Sequence, residues 1–178
     1  MNAIFGLIAG TKFLPPNVRA QAIQKLRNSR STSSAQQLLK LLGTSDPDIQ
    51  GDVQAAIKSL GGIIVEPAMR QLAQPIPPAQ RTAAKALALA GPEAAPALTL
   101  LTQQLGSAVL ELRVAVLTAI GAVGSGAADS VAQVASHLAS DQTKEAAAAA
   151  TALGRIGPAA KSVVPQLMGL VGHHEKAV

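Results

Sequence analysis

Apolar residues recur along this chain with a short period set inside a long one. The clearest case is Leu112, Val116 and Ile120, closed by Val123-Gly124. With Leu112 as an anchor, equivalent anchors fall at Val18, Ile49, Ala79 and, less well, Glu145, at separations of 31, 30, 33 and 33 residues. Four residues after each anchor stand Ala22, Val53, Ala83, Val116 and Ala149. Eight after stand Leu26, Ile57, Leu87, Ile120 and Leu153. Offsets of 0, 4 and 8 share one face of a helix. Eleven and twelve residues on come Leu60-Gly61, Ala90-Gly91, Val123-Gly124 and Ile156-Gly157, an apolar residue and then the glycine that ends a helix in a left-handed turn. The first unit has Ser29-Arg30 there instead.

A second apolar stretch follows each glycine, with Val65, Met69 and Leu72 in the second unit, Leu98, Leu101 and Leu105 in the third, and Val131, Val134 and Leu138 in the fourth. Asp46-Pro47 predicts an N-cap and a first-turn proline, Gly106-Ser107 a stop and a start, and Ser140-Asp141 a start, while Pro75, Pro77 and Pro78 part the second unit from the third. A unit of about 32 residues is then a helical hairpin that cannot cover its own apolar faces and must stack on its neighbours. The pattern predicts an all-α fold, an α-solenoid of about five stacked hairpins at about 9 to 10 Å per layer. Residues 17–178 form the solenoid, with repeats at about 17–47, 48–77, 78–106, 107–140 and 141–178, and residues 1–16 form an N-terminal apolar capping segment.

The runs Leu112 to Gly124, Ala83 to Gly91 and Ala150 to Ala160 resemble the short HEAT-like repeats first grouped with the phycobilisome bilin lyases, over residues 17 to 178. The resemblance implies the fold and does not select a function, because the matching residues are the core ones. The family spans scaffolds, bilin lyase subunits, DNA glycosylases and a di-iron hydroxylase, so function must be argued from sites. The hydroxylase branch implies His-Glu pairs in several first helices. Here there is one pair, His174-Glu175, just before Val178, which sits at the anchor of a sixth repeat. His137 is read as solvated surface without a carboxylate at a ligand spacing, so no metal or other cofactor is expected. The glycosylase branch implies aromatic platforms, and the chain has neither Trp nor Tyr. A bilin lyase subunit remains the alternative that rests on the resemblance alone.

Composition narrows the picture further. Hydrophobic residues make up 48% of 178, enough for a core, and the absence of cysteine excludes disulfides, thiol nucleophiles and zinc thiolates. The first 45 residues carry six cations and no acid, whereas the remainder carries nine cations and ten acids. The excess is therefore a local basic patch of Arg19, Lys25, Arg27, Arg30 and Lys40, which could hold nucleic acid only through salt-sensitive phosphate contacts. No apolar run approaches the roughly 20 residues of a membrane span. Ala3 to Gly10 resembles a signal-peptide core without a preceding cation, and a cap is preferred to a signal or a membrane-surface contact. Its Ile4, Phe5, Leu7 and Ile8 are expected to fold over repeat one.

Four further expectations complete the reading. The alanines from Ala146 to Ala150 are read as close helix packing, and Glu145 as a solvent-facing acid near a helix start. The function expected is a non-catalytic, cytoplasmic protein-interaction scaffold or adaptor subunit, offering a concave surface of second helices at Gln36, Gln37, Lys40, Arg70, Gln71, Thr102, Gln103, Gln133, Ser136 and Gln166. Finally, the face carrying Val163, Leu167 and Leu170 is apolar enough to need cover from further chain or another subunit.

Overall fold

The computed structural model describes residues 2–44 and 46–165. Gln166, Leu167, Leu170 and the His174-Glu175 pair lie outside the described residues. First helices are α2 (Pro16–Ser29), α4 (Pro47–Leu60), α6 (Pro77–Ala90), α8 (Leu110–Val123) and α10 (Thr143–Ile156), each of 14 residues. Every one begins two residues before its anchor and ends eleven after it, so the long period read from the sequence is a physical repeat. Between them lie α1 (Asn2–Gly10), α3 (Thr32–Leu42), α5 (Val65–Leu72), α7 (Leu98–Gln104) and α9 (Val131–Ala135). No strand occurs among the described residues. The architecture is an all-α solenoid of stacked helical hairpins.

Punctuation explains the boundaries. The Asp46 side chain accepts from the Asp48 backbone N–H, and Pro47 opens α4 where its missing donor costs nothing. The starts expected at Ser107 and Ser140 come later: both hydroxyls instead accept the backbone N–H two residues on, at Val109 and Gln142, turning the chain before α8 and α10 begin. Gly61, Gly91, Gly124 and Gly157 have φ of 55 to 79° with ψ between −129 and −139°. That combination is the mirror image of extended backbone, not the expected left-handed helix, and glycine alone enters it cheaply. The left-handed conformation occurs instead at Arg30, with φ and ψ both 42°. After each of the four glycines the chain runs through a 3-10 turn before any second helix forms.

The residues four and eight after each anchor are the core: all ten are at most 3% exposed. Anchors vary more. Ile49 and Leu112 are buried, Ala79 is half-buried and Val18 is exposed. Small residues let α8 and α10 approach closely, since a Cβ added at Gly121 would lie 2.6 Å from Ala152 Cα. Ala149 is fully buried in the same seam, in keeping with a packing role for the alanine run. One stretch, Leu110–Ala139, has the length and apolarity to cross a membrane, but it turns at Gly124 and 56% of its apolar window is buried in the core.

At the N-terminus, α1 packs on α2 and α3. Ala9 is buried there, and Phe5 and Ile8 lie against the core. Ile4 and Leu7 do not fold inward as expected: helical geometry turns them to the outer side, where they are 61% and 73% exposed.

One polar position recurs beside the core, one residue after the anchor. Arg19 Nε donates to the Ala9 carbonyl at the end of α1, and its guanidinium also pairs with Asp46. Gln50 donates to the carbonyls of Leu41 and Thr44 past α3, Gln80 to that of Leu72 at the end of α5, and Arg113 to that of Ser107 past α7. Each ties its first helix to the chain at or just past the end of the helix before it, and at Ala9 and Leu72 it supplies a partner to a helix-end carbonyl. By this measure α1 takes the place of a second helix preceding repeat one.

Candidate functional site

The densest polar cluster lies between the fourth and fifth repeats. Arg113 reaches Glu145 through Nε at 2.8 Å and Nη2 at 2.6 Å, His137 Nδ1 stands 2.6 Å from Glu145 Oε1, and the Ser140 hydroxyl donates to Oε2 at 3.1 Å. Glu145 is 2% exposed, which corrects the expectation of a solvent-facing acid: the anchor position points inward, and a carboxylate is tolerated there because four donors meet it. His137 likewise is no free surface residue but a partner of that carboxylate. The Arg113 hydrogen bonds, with those of His137 and Ser140, outweigh burial and hold the Glu145 carboxyl at about 2. The Arg113 guanidinium is raised in turn, chiefly by its hydrogen bonds to Glu145. The carboxylate is thereby saturated by its neighbours, so this cluster reads as a clamp and not as a reactive centre. Among the described residues no three His, Asp or Glu side chains converge as a metal would require.

The basic patch read from the sequence loses one member, and Lys25, Arg27, Arg30 and Lys40 stay exposed. Arg19 is 2% exposed and held by Asp46, Asp48 and the Ala9 carbonyl, so it offers nothing to a phosphate. Burial alone would raise the Asp46 carboxyl, but the Arg19 hydrogen bond and the Asp48 backbone outweigh it and lower it. Arg30 also donates to the Ser59 carbonyl at 3.1 Å.

The second-helix positions divide similarly. Gln36, Lys40, Gln103 and Gln133 are exposed. Gln37 is half-covered, close enough to α1 that a Cβ at Gly6 would collide with it. Gln71 donates to the Ala79 carbonyl, Arg70 pairs with Glu66, and Thr102 and Ser136 bond back to their own helices. Val163 is buried and Val164 exposed at the C-terminal end of the described residues.

A groove lies on the other row. It measures about 600 Å³ and is lined by Gln54 of α4, Arg81 and Lys85 of α6, Val114 of α8, Arg155 of α10 and further residues of these first helices, with Leu42 as the one contribution from α3. It continues toward Thr44 and Pro47 through a depression of about 350 Å³ that shares Arg81 and Lys85, and between α8 and α10 through one of about 200 Å³ that shares Thr118 and Arg155. The floor is apolar because α8 lacks a polar outer stripe: two residues after the anchor, where α6 has Arg81, α8 has Val114, and Leu110 lies half-exposed beside it. On both flanks stand cations, Arg81 and Lys85 on α6 and Lys144 and Arg155 on α10, against the single carboxylate of Glu111. All four cations are exposed, and none forms an ion pair with another described residue.

No family model and no curated protein sequence matches the chain. Solved structures do. The chain is similar to an engineered protein at 21% identity and a TM-score of 0.55, covering 93% of this chain and 85% of that one. It is similar to the complex of CpcE and CpcF of phycocyanin lyase from Nostoc sp. PCC7120 at 21% identity and 0.53, covering 88% of this chain and 65% of that one. A designed armadillo repeat protein in complex with the peptide (KR)4 is similar at 15% identity and 0.56, covering 96% and 91%. These likenesses establish the fold, a helical-repeat solenoid of the HEAT and armadillo kind.

Proposed function

We propose that the chain is a non-catalytic protein-interaction scaffold or adaptor subunit, cytoplasmic, and that its partner docks on the first-helix groove and not on the second helices. The observation that carries this reading is the half-exposed apolar stripe of Leu110 and Val114 on α8, set between two banks of cations that lack ion-pair partners among the described residues. Leaving such a stripe uncovered forgoes apolar burial, which is the usual mark of a surface that binds. Among proteins of similar fold, one is solved with a partner subunit and one with a bound peptide, which supports protein partners in general.

The test is site-specific photocrosslinking in the source cells, with the photoreactive residue placed at Thr118 in the groove or at Gln103 on a second helix. A stoichiometric adduct at Thr118 and little at Gln103 is expected; the reverse pattern would return the interface to the second helices, and no adduct at either would remove the scaffold reading. The rival reading, a subunit of a bilin lyase, is favoured by one feature only: a groove of this size with paired cations would also suit a dicarboxylate chromophore. Visible absorbance retained by the purified chain after co-expression with such a pigment would select it.

A further inference from the structure

The groove's occupant can be specified by its chemistry, an inference that rests on the scaffold reading above. We infer that the first-helix groove takes an acidic amphipathic segment of another protein, with apolar residues laid along Leu110 and Val114 and carboxylates flanking them on both sides. Charge complementarity is the first argument. Arg81 and Lys85 stand on one side of the stripe and Lys144 and Arg155 on the other, so a segment laid across the layers with acids before and after its apolar middle meets cations on both sides of that floor. Its acids need displace no resident partner, because no described carboxylate pairs with any of the four. A basic or neutral segment would leave those cations partly desolvated without compensation.

Dimension is the second argument. The lining residues come from four successive first helices, and three interlayer steps of about 9 to 10 Å make a span of about 30 Å. A helix of about 18 residues covers about 27 Å, and an extended segment of about nine residues covers as much, whereas a small anion would touch one bank of cations only. The two shallower depressions that share Arg81 and Lys85 at one end and Thr118 and Arg155 at the other lengthen the trough in the same direction.

The experiment uses the full chain and a fluorescein-labelled peptide of about 18 residues, with Leu at helical i, i+3, i+4, i+7 spacing across its middle and Glu in the turns before and after it. Fluorescence anisotropy is compared with a version carrying Lys for every Glu and with a scramble of the same composition. Saturable binding of the acidic peptide alone is expected, weakening as salt rises. The double variant Lys85→Glu/Arg155→Glu should bind on the order of tenfold more weakly or worse, with unchanged circular dichroism, since both side chains are exposed. Val114→Asp should weaken binding too, showing that the floor contributes. Equal binding of the scramble would reduce the interaction to charge alone and overturn the inference, as would indifference to the reversal variants. So would a dansylated fatty acid that fills the groove while the peptide does not. If the peptide fails but Thr118 still crosslinks a protein, the partner chemistry is wrong and the scaffold reading stands; if neither occurs, both fall.

Discussion

Arg113 and Gln80 hold the same place in adjacent repeats and solve the same problem with different chemistry. Each side chain caps carbonyls behind it, at Ser107 and at Leu72. Gln80 also reaches the Gln104 side chain of its own repeat at 3.2 Å, an uncharged contact that costs little to bury. Arg113 reaches onward to Glu145 of the next repeat, and Arg19 to Asp46, the N-cap of the first helix that follows. A guanidinium can bond backward and forward at once because it has five donors, but it then needs a carboxylate at the right place in the repeat that follows. The glutamines therefore ask nothing of the repeat that follows, while the arginines specify a partner in it. A repeat stacked out of order on Arg113 would bury an unpaired charge, which is the penalty that makes buried pairs useful for register.

The sharpest break in that comparison is Glu145→Ala. It leaves the Arg113 guanidinium, 18% exposed, without its partner, and unfolding in urea should show a loss of about 3 kcal/mol. Combining it with Arg113→Met should recover most of that loss, because the cost lies in the orphaned charge. A double variant no more stable than the single one would show that the pair contributes stability directly. Acid gives the same contrast without removing atoms. The Glu145 carboxyl titrates at about 2 in the folded chain and near its ordinary 4.5 when unfolded, so its stabilisation is full above about pH 4.5 and is lost as the pH falls toward 2. The stability difference between the parent and Glu145→Gln should shrink as the pH falls through that window.

Gln80→Ala comes next, at about 1 to 2 kcal/mol, because Gln80 is 8% exposed and its loss strips a cap from the Leu72 carbonyl and a partner from Gln104. A loss as large as that of Glu145→Ala would erase the distinction between neutral and charged junctions.

How much of this the sequence discloses depends on whether a residue's partner lies within its own repeat. The frame of Ile57, Leu87 and Ile120 is visible because core residues answer to a helical period that each repeat carries in itself. Glu145 was not legible as a buried group, since its partner Arg113 stands one repeat away and the residue is anomalous only when read alone. The signal was present: an arginine one place after an anchor and an acid at the next anchor. The groove was missed for a different reason. Arg81, Lys85, Lys144 and Arg155 occupy ordinary outer positions of first helices, and only the layered arrangement aligns them on either side of Val114, a residue whose neighbours in sequence give no sign of what flanks it. Assigning the interface to second helices followed solenoids in general, whereas here the groove lies on the first-helix row.

The smallest expected effect distinguishes capping from junction building within the glutamine class itself. Gln50 donates to the carbonyls of Leu41 and Thr44 behind it, and no side-chain contact like that of Gln80 with Gln104 is found for it among the described residues. It is half-buried, so water can take over part of its work when it is removed. Gln50→Ala should therefore cost only about 0.5 to 1 kcal/mol in urea, and its effect should add to that of Gln80→Ala, because the two caps share no partner. Measured coupling between them beyond about 0.5 kcal/mol would mean that the α3 and α5 ends communicate through the stack, and the junctions would then act as a chain and not as independent caps. Additivity would leave the two arginine junctions as the places where one repeat dictates the identity of the next.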